Sequence, residues 1–413
     1  ALSSFSGLAD AVIYNDRDIH NRTDDSVSMV VSGEERILRR SRGYAPSPVI
    51  TGLLNEGIFA AGAELVNCFC IGKADQAILS QHIGDLKNLE TYDFYEETVA
   101  HYNKLFRFTP SLVVHDLHPD YLSTVYAKQT GVKALAVQHH HAHIVSCMAE
   151  HHLDEKVIGI SFDGTGLGDD GHIWGGEFLV CDQANYERLY HFEYLPIPGG
   201  DKAVKEPWRT AVSLLYRVYG ENLMNPDLPF LEKISNDQVH WIIRALEKNI
   251  NCPLSSSAGR LFDAIAALTN VCTHSKFHAE APMRLESIAD KKITGSYDFE
   301  IKRNSILFQP MVKEIVNELV SGNNVSEIAA RFHNTVISCI FAVAGKLRKQ
   351  TGIKKVVLSG GTFQNRYLLD KTISLLEKEN FKVYAHRQIP SNDGGIALGQ
   401  LTIAAKRRAL QCV

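Results

Sequence analysis

Two histidines and a nearby aspartate in this sequence have the types and spacing to hold one metal ion. His139 and His143 are four residues apart in the run VQHHHAHIVSCMAEHH. If Ala142 to Glu150 continues as a helix, the two rings stand on one face with Cβ atoms roughly 6 Å apart. That suits two imidazole nitrogens on one ion, the geometry HExxH helices use. Twenty residues on, Asp163 closes the apolar run VIGISF. A carboxylate at a strand end beside a Gly-rich turn is a natural third ligand, or a partner for phosphate-bound metal. Asp393 stands in PSNDGG at the start of a terminal helix. It either caps that helix or aims into a cleft as a ligand; on the residues alone, capping is the better reading. The histidines have a plain alternative too, a solvated helix start or an Nδ1–H cap to a carbonyl.

A second set of residues suits phosphate. Gly164 and Gly166 lie in DGTGLGDDG, where glycines permit positive φ and close backbone approach; a generic Gly/Asp turn is the alternative. Gly360 and Gly361 join the strand KKVVLS to a helix starting near Asn365, which points backbone N–H groups at a possible phosphate. In SSSAGRLFDAIAALTNV, Gly259 followed one turn later by Asp263 suits a ribose diol; an N-capped helix with a favourable early carboxylate explains the same residues. Arg36, Arg39, Arg40 and Arg42 precede Gly43 and suit an anion or a solvated basic edge strand. Lys202, Lys205 and Arg209 pose the same choice.

These groups need a scaffold, and 413 residues suffice for two or three domains with real cores. A net charge of −4 gives no broad nucleic-acid surface. No apolar run approaches the roughly 18 residues that span a bilayer, and the start lacks a signal-peptide pattern. The eight cysteines form no CxxC pair; Cys68 and Cys70 alone are not a zinc site. Reduced thiols in the cytoplasm are the reading.

In chain order, residues 1–46 read as short strands and polar turns, too little to bury a core alone, with a boundary at Ser47-Pro48. Three strands follow, at 58–63, 65–72 and 76–81, then a helix at 88–106, a strand at 112–115, a helix at 121–129 and a strand at 133–138. That succession is a mixed sheet with helices on its faces. Strands at 177–180 and 187–194 lead to the Pro/Gly run LPIPGG, which suits a hinge between halves. Residues 201–290 read as mostly helical. A strand at 297–301, helices at 309–320 and 325–349, a strand at 381–386 and the terminal helix complete the chain.

The pieces RSRGYAP, AELVNCFC, SQHIGDL, DLHPDYLST, HHHAHIVSCMAEH, ISFDGTGLGDDGHIWGGEF, KEPWR, SGGTFQN and NDGGIALGQ, in this order, resemble the C-terminal part of the HypF family, carbamoyltransferases of NiFe-hydrogenase maturation. The resemblance implies an α/β, two-lobed actin/Hsp70/sugar-kinase-like (ASKHA) fold with mixed sheets. The lobes would span 49–195 and 196–413, preceded at 1–46 by the tail of a YrdC-like domain. An acylphosphatase domain and zinc-binding motifs of the intact family are not in this sequence, which therefore reads as a piece of a longer protein.

Carried over by motif, His139, His143, Asp163 and Asp393 match the family's metal ligands, which turns Asp393 from cap to ligand. Asp163 and Asp393 are also the implied catalytic pair. Gly164 and Gly166 match the loop after the DGxG strand end, Gly360, Gly361 and Asn365 the nucleotide loop, and Gly259 and Asp263 the ribose-side helix. FHAEAPMRLE departs from the family's usual FEGEAAM-like run at His278 and Pro282. The implied cofactors are iron or zinc, with magnesium a further option, and ATP or carbamoyl-adenylate. The implied partner is a HypE-like protein whose C-terminal cysteine takes the carbamoyl group towards a cyanide ligand; no membrane or nucleic acid is expected. The rival classes are an O- or N-carbamoyltransferase acting on a small molecule or tRNA, a phosphotransferase of the same fold, and an ATP-switched binding module. The tail RSRGYAP favours HypF over the tRNA enzymes.

Overall fold

The computed structural model describes residues 5–19 and 21–412. Of the expected tail at 1–46, residues 1–4 and 20 lie outside that description. The first regular element is a hairpin of β1 (Val27–Val31) and β2 (Glu34–Arg39). It is fastened to the far end of the chain. The Ile37 N–H donates to the Arg387 carbonyl (2.7 Å), and Asn392 Nδ2 donates to the Leu38 carbonyl (3.2 Å).

A six-stranded sheet follows. It contains β3 (Val49–Ile50), β4 (Ile58–Ala60), β5 (Cys70–Lys73) and β6 (Gln76–Leu79), then α1 (Leu89–Leu105), β7 (Leu112–Asp116), α2 (Leu122–Gln129) and β8 (Ala134–Val137). Its order is β3-β6-β5-β4-β7-β8. β4, β5 and β6 are an antiparallel meander, and β7 and β8 add in parallel beside β4. Helix α3 (His139–Glu150) then leaves this sheet.

The second sheet repeats the plan. β9 (Val157–Leu167), β10 (Ile173–Cys181) and β11 (Tyr186–Phe192) form the meander. β12 (Leu195–Pro196) precedes a long insertion: α4 (Asp201–Lys205), α5 (Trp208–Tyr219), α6 (Asn236–Glu247), β13 (Leu254–Ser255), α7 (Ala258–Leu268), α8 (Glu280–Ile288), β14 (Glu300–Lys302), β15 (Ser305–Leu307), α9 (Gln309–Val320) and α10 (Val325–Thr351). β16 (Lys355–Ser359), α11 (Arg366–Lys378) and β17 (Lys382–Ala385) then add in parallel beside β9, and α12 (Ile396–Ala409) leaves the sheet. Both sheets thus read third–second–first–fourth–fifth strand of their own unit. This is the two-lobed actin/Hsp70/sugar-kinase fold, built twice.

Sheet membership divides the chain between Val137 and Val157, not at 195/196 as the Pro/Gly run suggested. The β9–β11 meander belongs to the second lobe because its parallel partners, β16 and β17, arrive only after the insertion. The strand expected at 297–301 is the hairpin β14–β15. DGTGL, expected as loop, continues β9, and the turn falls at 168–172.

The exit helices cross over. α3 packs on the second sheet and α12 on the first, and the two helices lie against each other. Their contact depends on a missing side chain: a Cβ on Gly399 would stand 1.9 Å from the Ala142 carbonyl oxygen. Stacked from one face to the other are α1 and α2, the first sheet, α3 with α12, the second sheet, and the remaining helices. Three buried apolar clusters fill the spaces: one between α1 and α2 and the first sheet, one around α3 and α12 that reaches both sheets, and one between the second sheet and the remaining helices. Among the described residues one helix, α10, is by length and composition long and apolar enough to cross a membrane; 72% of its apolar window is buried inside the protein. It is the second lobe's core helix, expected from the sequence at 325–349.

Candidate metal centre and active site

The two crossed helices bring their N-terminal ends to one point. α3 starts at His139, with Gln138 as N-cap accepting the His141 N–H (2.8 Å). All four histidines of HHHAH are buried, which excludes the solvated helix start. His139 and His143 are one turn apart, with ring centroids separated by 4.9 Å. Asp163 comes from β9, which puts its carboxylate between the rings: Oδ2 is 3.3 Å from His139 Nε2 and 3.5 Å from His143 Nε2. Asp393, on the turn before α12, places Oδ1 3.7 and 3.5 Å from the same two nitrogens. One ligand atom from each of these four residues lies within 4.8 Å of the others. The histidines are sealed, so the approach is from the carboxylate side, where Asp163 and Asp393 keep 10% and 16% side-chain exposure.

Two residues steer this set. Asp116, at the end of β7, holds His139 Nδ1 at 2.7 Å, fixing the tautomer that turns Nε2 toward the cluster. Sequence reading assigned Asp116 no role, although it opens the quoted DLHPDYLST. The Gly361 N–H donates to Asp163 Oδ1 (3.0 Å), so Asp163 is held from behind. Burial opposes charge on His139, but Asp116, Asp163 and Asp393 outweigh it and raise its pKa well above the usual imidazole range. His143 is raised against the same burial by the Asp163 and Asp393 carboxylates that flank its Nε2. Burial pushes Asp163 up, and the two histidines more than reverse this, holding it well below the carboxylate range. His140 is lowered by burial and further by the neighbouring His139, and His141 is lowered by burial although its bond to the Asp182 carbonyl opposes this.

Such a set fits a metal. His143 Nε2 is buried with the Asp163 and Asp393 carboxylate oxygens each 3.5 Å away, and among the described residues it makes no well-formed hydrogen bond, an arrangement that an electrophile between the three would satisfy. Two neutral imidazoles and two carboxylates would balance a divalent ion, and iron or zinc accepts that donor set.

The phosphate candidates divide. Gly361 serves Asp163 directly, and Gly360, at φ +100°, fits against the Phe162 backbone. Asn365 caps α11 by accepting the Leu368 N–H, while its amide also bonds His333 (2.9 Å). Gly164 and Gly259 pack backbone to backbone, a Cβ on Gly259 lying 3.0 Å from Gly164 Cα. Asp263 is buried against Arg260 (2.9 Å). Gly166 underlies the histidines: its Cβ would stand 2.6 Å from His140 Cε1 and 2.7 Å from His139 Cδ2. The basic candidates lie elsewhere. Arg36 and Arg40 are buried on backbone carbonyls, Arg39 and Arg42 pair with Asp24 and Asp25, and Arg209 and Lys202 pair with Glu206.

Comparison with known proteins identifies this architecture. The family described as "HypF Kae1-like domain" matches residues 54–150, and "Carbamoyltransferase, Kae1-like Domain, second subdomain" matches 159–400. A "Carbamoyltransferase HypF homolog" of Cupriavidus necator is 32% identical over 85% of this chain and 92% of its own length. The chain belongs to the HypF family. The HypF carbamoyltransferase of Synechocystis is 38% identical over all of this chain and 55% of its own length. A crystal structure of full-length HypF in a phosphate- and nucleotide-bound form matches with TM-score 0.94 and 44% identity, over 98% of this chain and 64% of that one. HypF of T. kodakarensis matches with TM-score 0.86 and 34% identity, over 94% of this chain and 53% of that one. The chain thus spans about half the length of most of the curated HypF relatives it matches.

Proposed function

We propose that this chain transfers the carbamoyl group of carbamoyl-adenylate to a cysteine thiolate, and that the acceptor is the C-terminal cysteine of a HypE-like partner in NiFe-hydrogenase maturation. The observation that carries the reading is the convergence of His139, His143, Asp163 and Asp393 from both lobes of a HypF-family fold. A metal ion held by these four would polarise a phosphate or carbamoyl oxygen.

The rest falls to the protein. Asp116 keeps His139 in one tautomer, and the Gly361 N–H keeps Asp163 in place. The loop after β16 borders the Phe162 backbone at Gly360 and the Asp163 carboxylate at Gly361, and the start of α7 at Gly259 borders the Asp163–Gly164 backbone. We assign the adenylate to that border, where helix N-termini favour an anion. Thiolate is already the attacking form, so the site has only to hold the carbonyl, accept the leaving charge and keep water out. We assign residues 1–46 to the tail of a YrdC-like domain, on the strength of the family resemblance. The two lobes are proposed as the transferase unit.

The test supplies carbamoyl-adenylate and zinc or iron to the purified chain, with a peptide ending in cysteine as acceptor. The expected product is the S-carbamoylated peptide with release of AMP, abolished by His143→Ala. Transfer only to hydroxyl or amine acceptors would move the reading to a small-molecule or tRNA carbamoyltransferase. Phosphoryl transfer from ATP without carbamoyl transfer would make the chain a phosphotransferase.

A further inference from the structure

The first turn of α7 carries a cation that the metal cluster does not use. Arg260 is 9% exposed. Its Nη2 pairs with Asp263 Oδ2 at 2.9 Å, while Nε and Nη1 are buried with no hydrogen-bond partner among the described residues. The guanidinium lies beside Gly164, whose Cβ would stand 3.9 Å from Nη2, and Gly164 follows Asp163 directly. The helix start is pinned to the same backbone. Ser257 Oγ lies 2.9 and 2.6 Å from the Asp163 and Gly164 carbonyl oxygens and accepts the Arg260 N–H (3.1 Å).

A guanidinium keeps its charge in any protein, and donors left unmatched in the interior are expensive. A helix pair that served stability alone would not need two of the three nitrogens idle. Asp263 answers the charge incompletely, since burial pushes its own pKa up to about 6 although Arg260 pulls it down. The position next to Asp163, the helix N-terminus and the idle donors all call for an anion.

We propose that Arg260 binds the phosphate of carbamoyl-adenylate and takes up the charge that builds there as AMP leaves. This rests on the nucleotide-dependent transfer proposed above. In that step the acceptor sulfur bonds to the carbamoyl carbon, the bond from that carbon to the bridging phosphate oxygen breaks, and its electron pair stays on AMP. Nε and Nη1 are the donors that meet this charge. Asp263 is the positioning residue, holding the guanidinium by Nη2.

The experiment compares AMP and adenosine binding by calorimetry to the unaltered chain, Arg260→Lys and Arg260→Gln. Arg260→Gln should weaken AMP about 10-fold or more, the scale of a charged hydrogen bond, and leave adenosine unchanged, with Lys restoring part of the loss. An equal fall for both ligands, or none for either, overturns the assignment. AMP binding that is tight in the unaltered chain and indifferent to the substitutions removes Arg260 alone. AMP binding no better than adenosine to the unaltered chain removes the nucleotide reading with it. If the variants do not fold, crystals of the unaltered chain soaked in AMP decide. A phosphate oxygen within hydrogen-bond distance of Arg260 supports the role, and a phosphate bound elsewhere overturns it.

Discussion

Oδ2 of Asp116 stands 2.7 Å from Nδ1 of His139, and both side chains are wholly buried. The carboxylate therefore decides which imidazole nitrogen offers its lone pair to the cluster. Asp116→Asn keeps the shape and loses the charge. Metal affinity, read by competition with a chelating dye, should fall about 10- to 100-fold. An unchanged affinity would mean that helix packing alone orients His139.

Gly166 and Gly399 are spacers for the same site. Alanine at Gly166 would press on the His139 and His140 rings, and alanine at Gly399 would force α12 off the Ala142 carbonyl. Each variant should lose metal binding. Gly399→Ala should also lower stability by about 1–3 kcal/mol or more in urea unfolding, as an overpacked contact does. Full metal occupancy in both variants would show that the rings and helices adjust freely.

Two buried histidines make the fold sensitive to acid. His333 bonds the Ala329 carbonyl at 2.7 Å and Asn365 at 2.9 Å, and burial lowers its pKa to about 4. Burial lowers His141 to about 4 as well. An unfolded histidine takes its proton near pH 6.5, so stability is present above that value and is lost as pH falls from 6.5 through 4. Each residue contributes roughly 3 kcal/mol over that window. Urea midpoints at pH 7, 6 and 5 should drop accordingly, and His333→Gln should flatten the drop. Equal midpoints at pH 7 and 5 would contradict the neutral assignment.

Ala279 precedes α8 at φ +59° and ψ +21°, the left-handed region that favours glycine. An L-residue there costs about 1–2 kcal/mol, partly offset because alanine restricts the unfolded chain. Ala279→Gly should therefore raise stability by about 0.5–1 kcal/mol, seen as a higher urea midpoint. A lower midpoint would show that the turn is unstrained.

What the sequence disclosed follows the reach of each interaction. His139 and His143 were legible because one helical turn joins them. Asp163 was legible because it ends an apolar run. Asp393 looked like a cap from its neighbours, and only the family motif made it a ligand. Asp116 stayed hidden because its contact with His139 depends on the parallel register of β7 and β8, where Asp116 faces Val137. Gly166 looked like loop because glycines in DGTGL mimic a turn, whereas the strand uses them to make room for imidazoles. The lobe boundary was misplaced for a related reason: a meander gives no local sign of partners that come after a long insertion.

The crossing of α3 and α12 also sets an order of events during synthesis. Two ligands belong to the helix that leaves the first unit, one to the first strand of the second unit, and the last to the turn before the final helix. A nascent chain that has not yet reached Asp393 holds at most three of them. A growing polypeptide therefore exposes an incomplete pair of imidazoles while most of the second lobe is still being made, and the cage closes only when α12 swings back onto the first sheet. Loading of the proposed metal site would then be a late checkpoint that reports, at one point, that both halves have folded and joined.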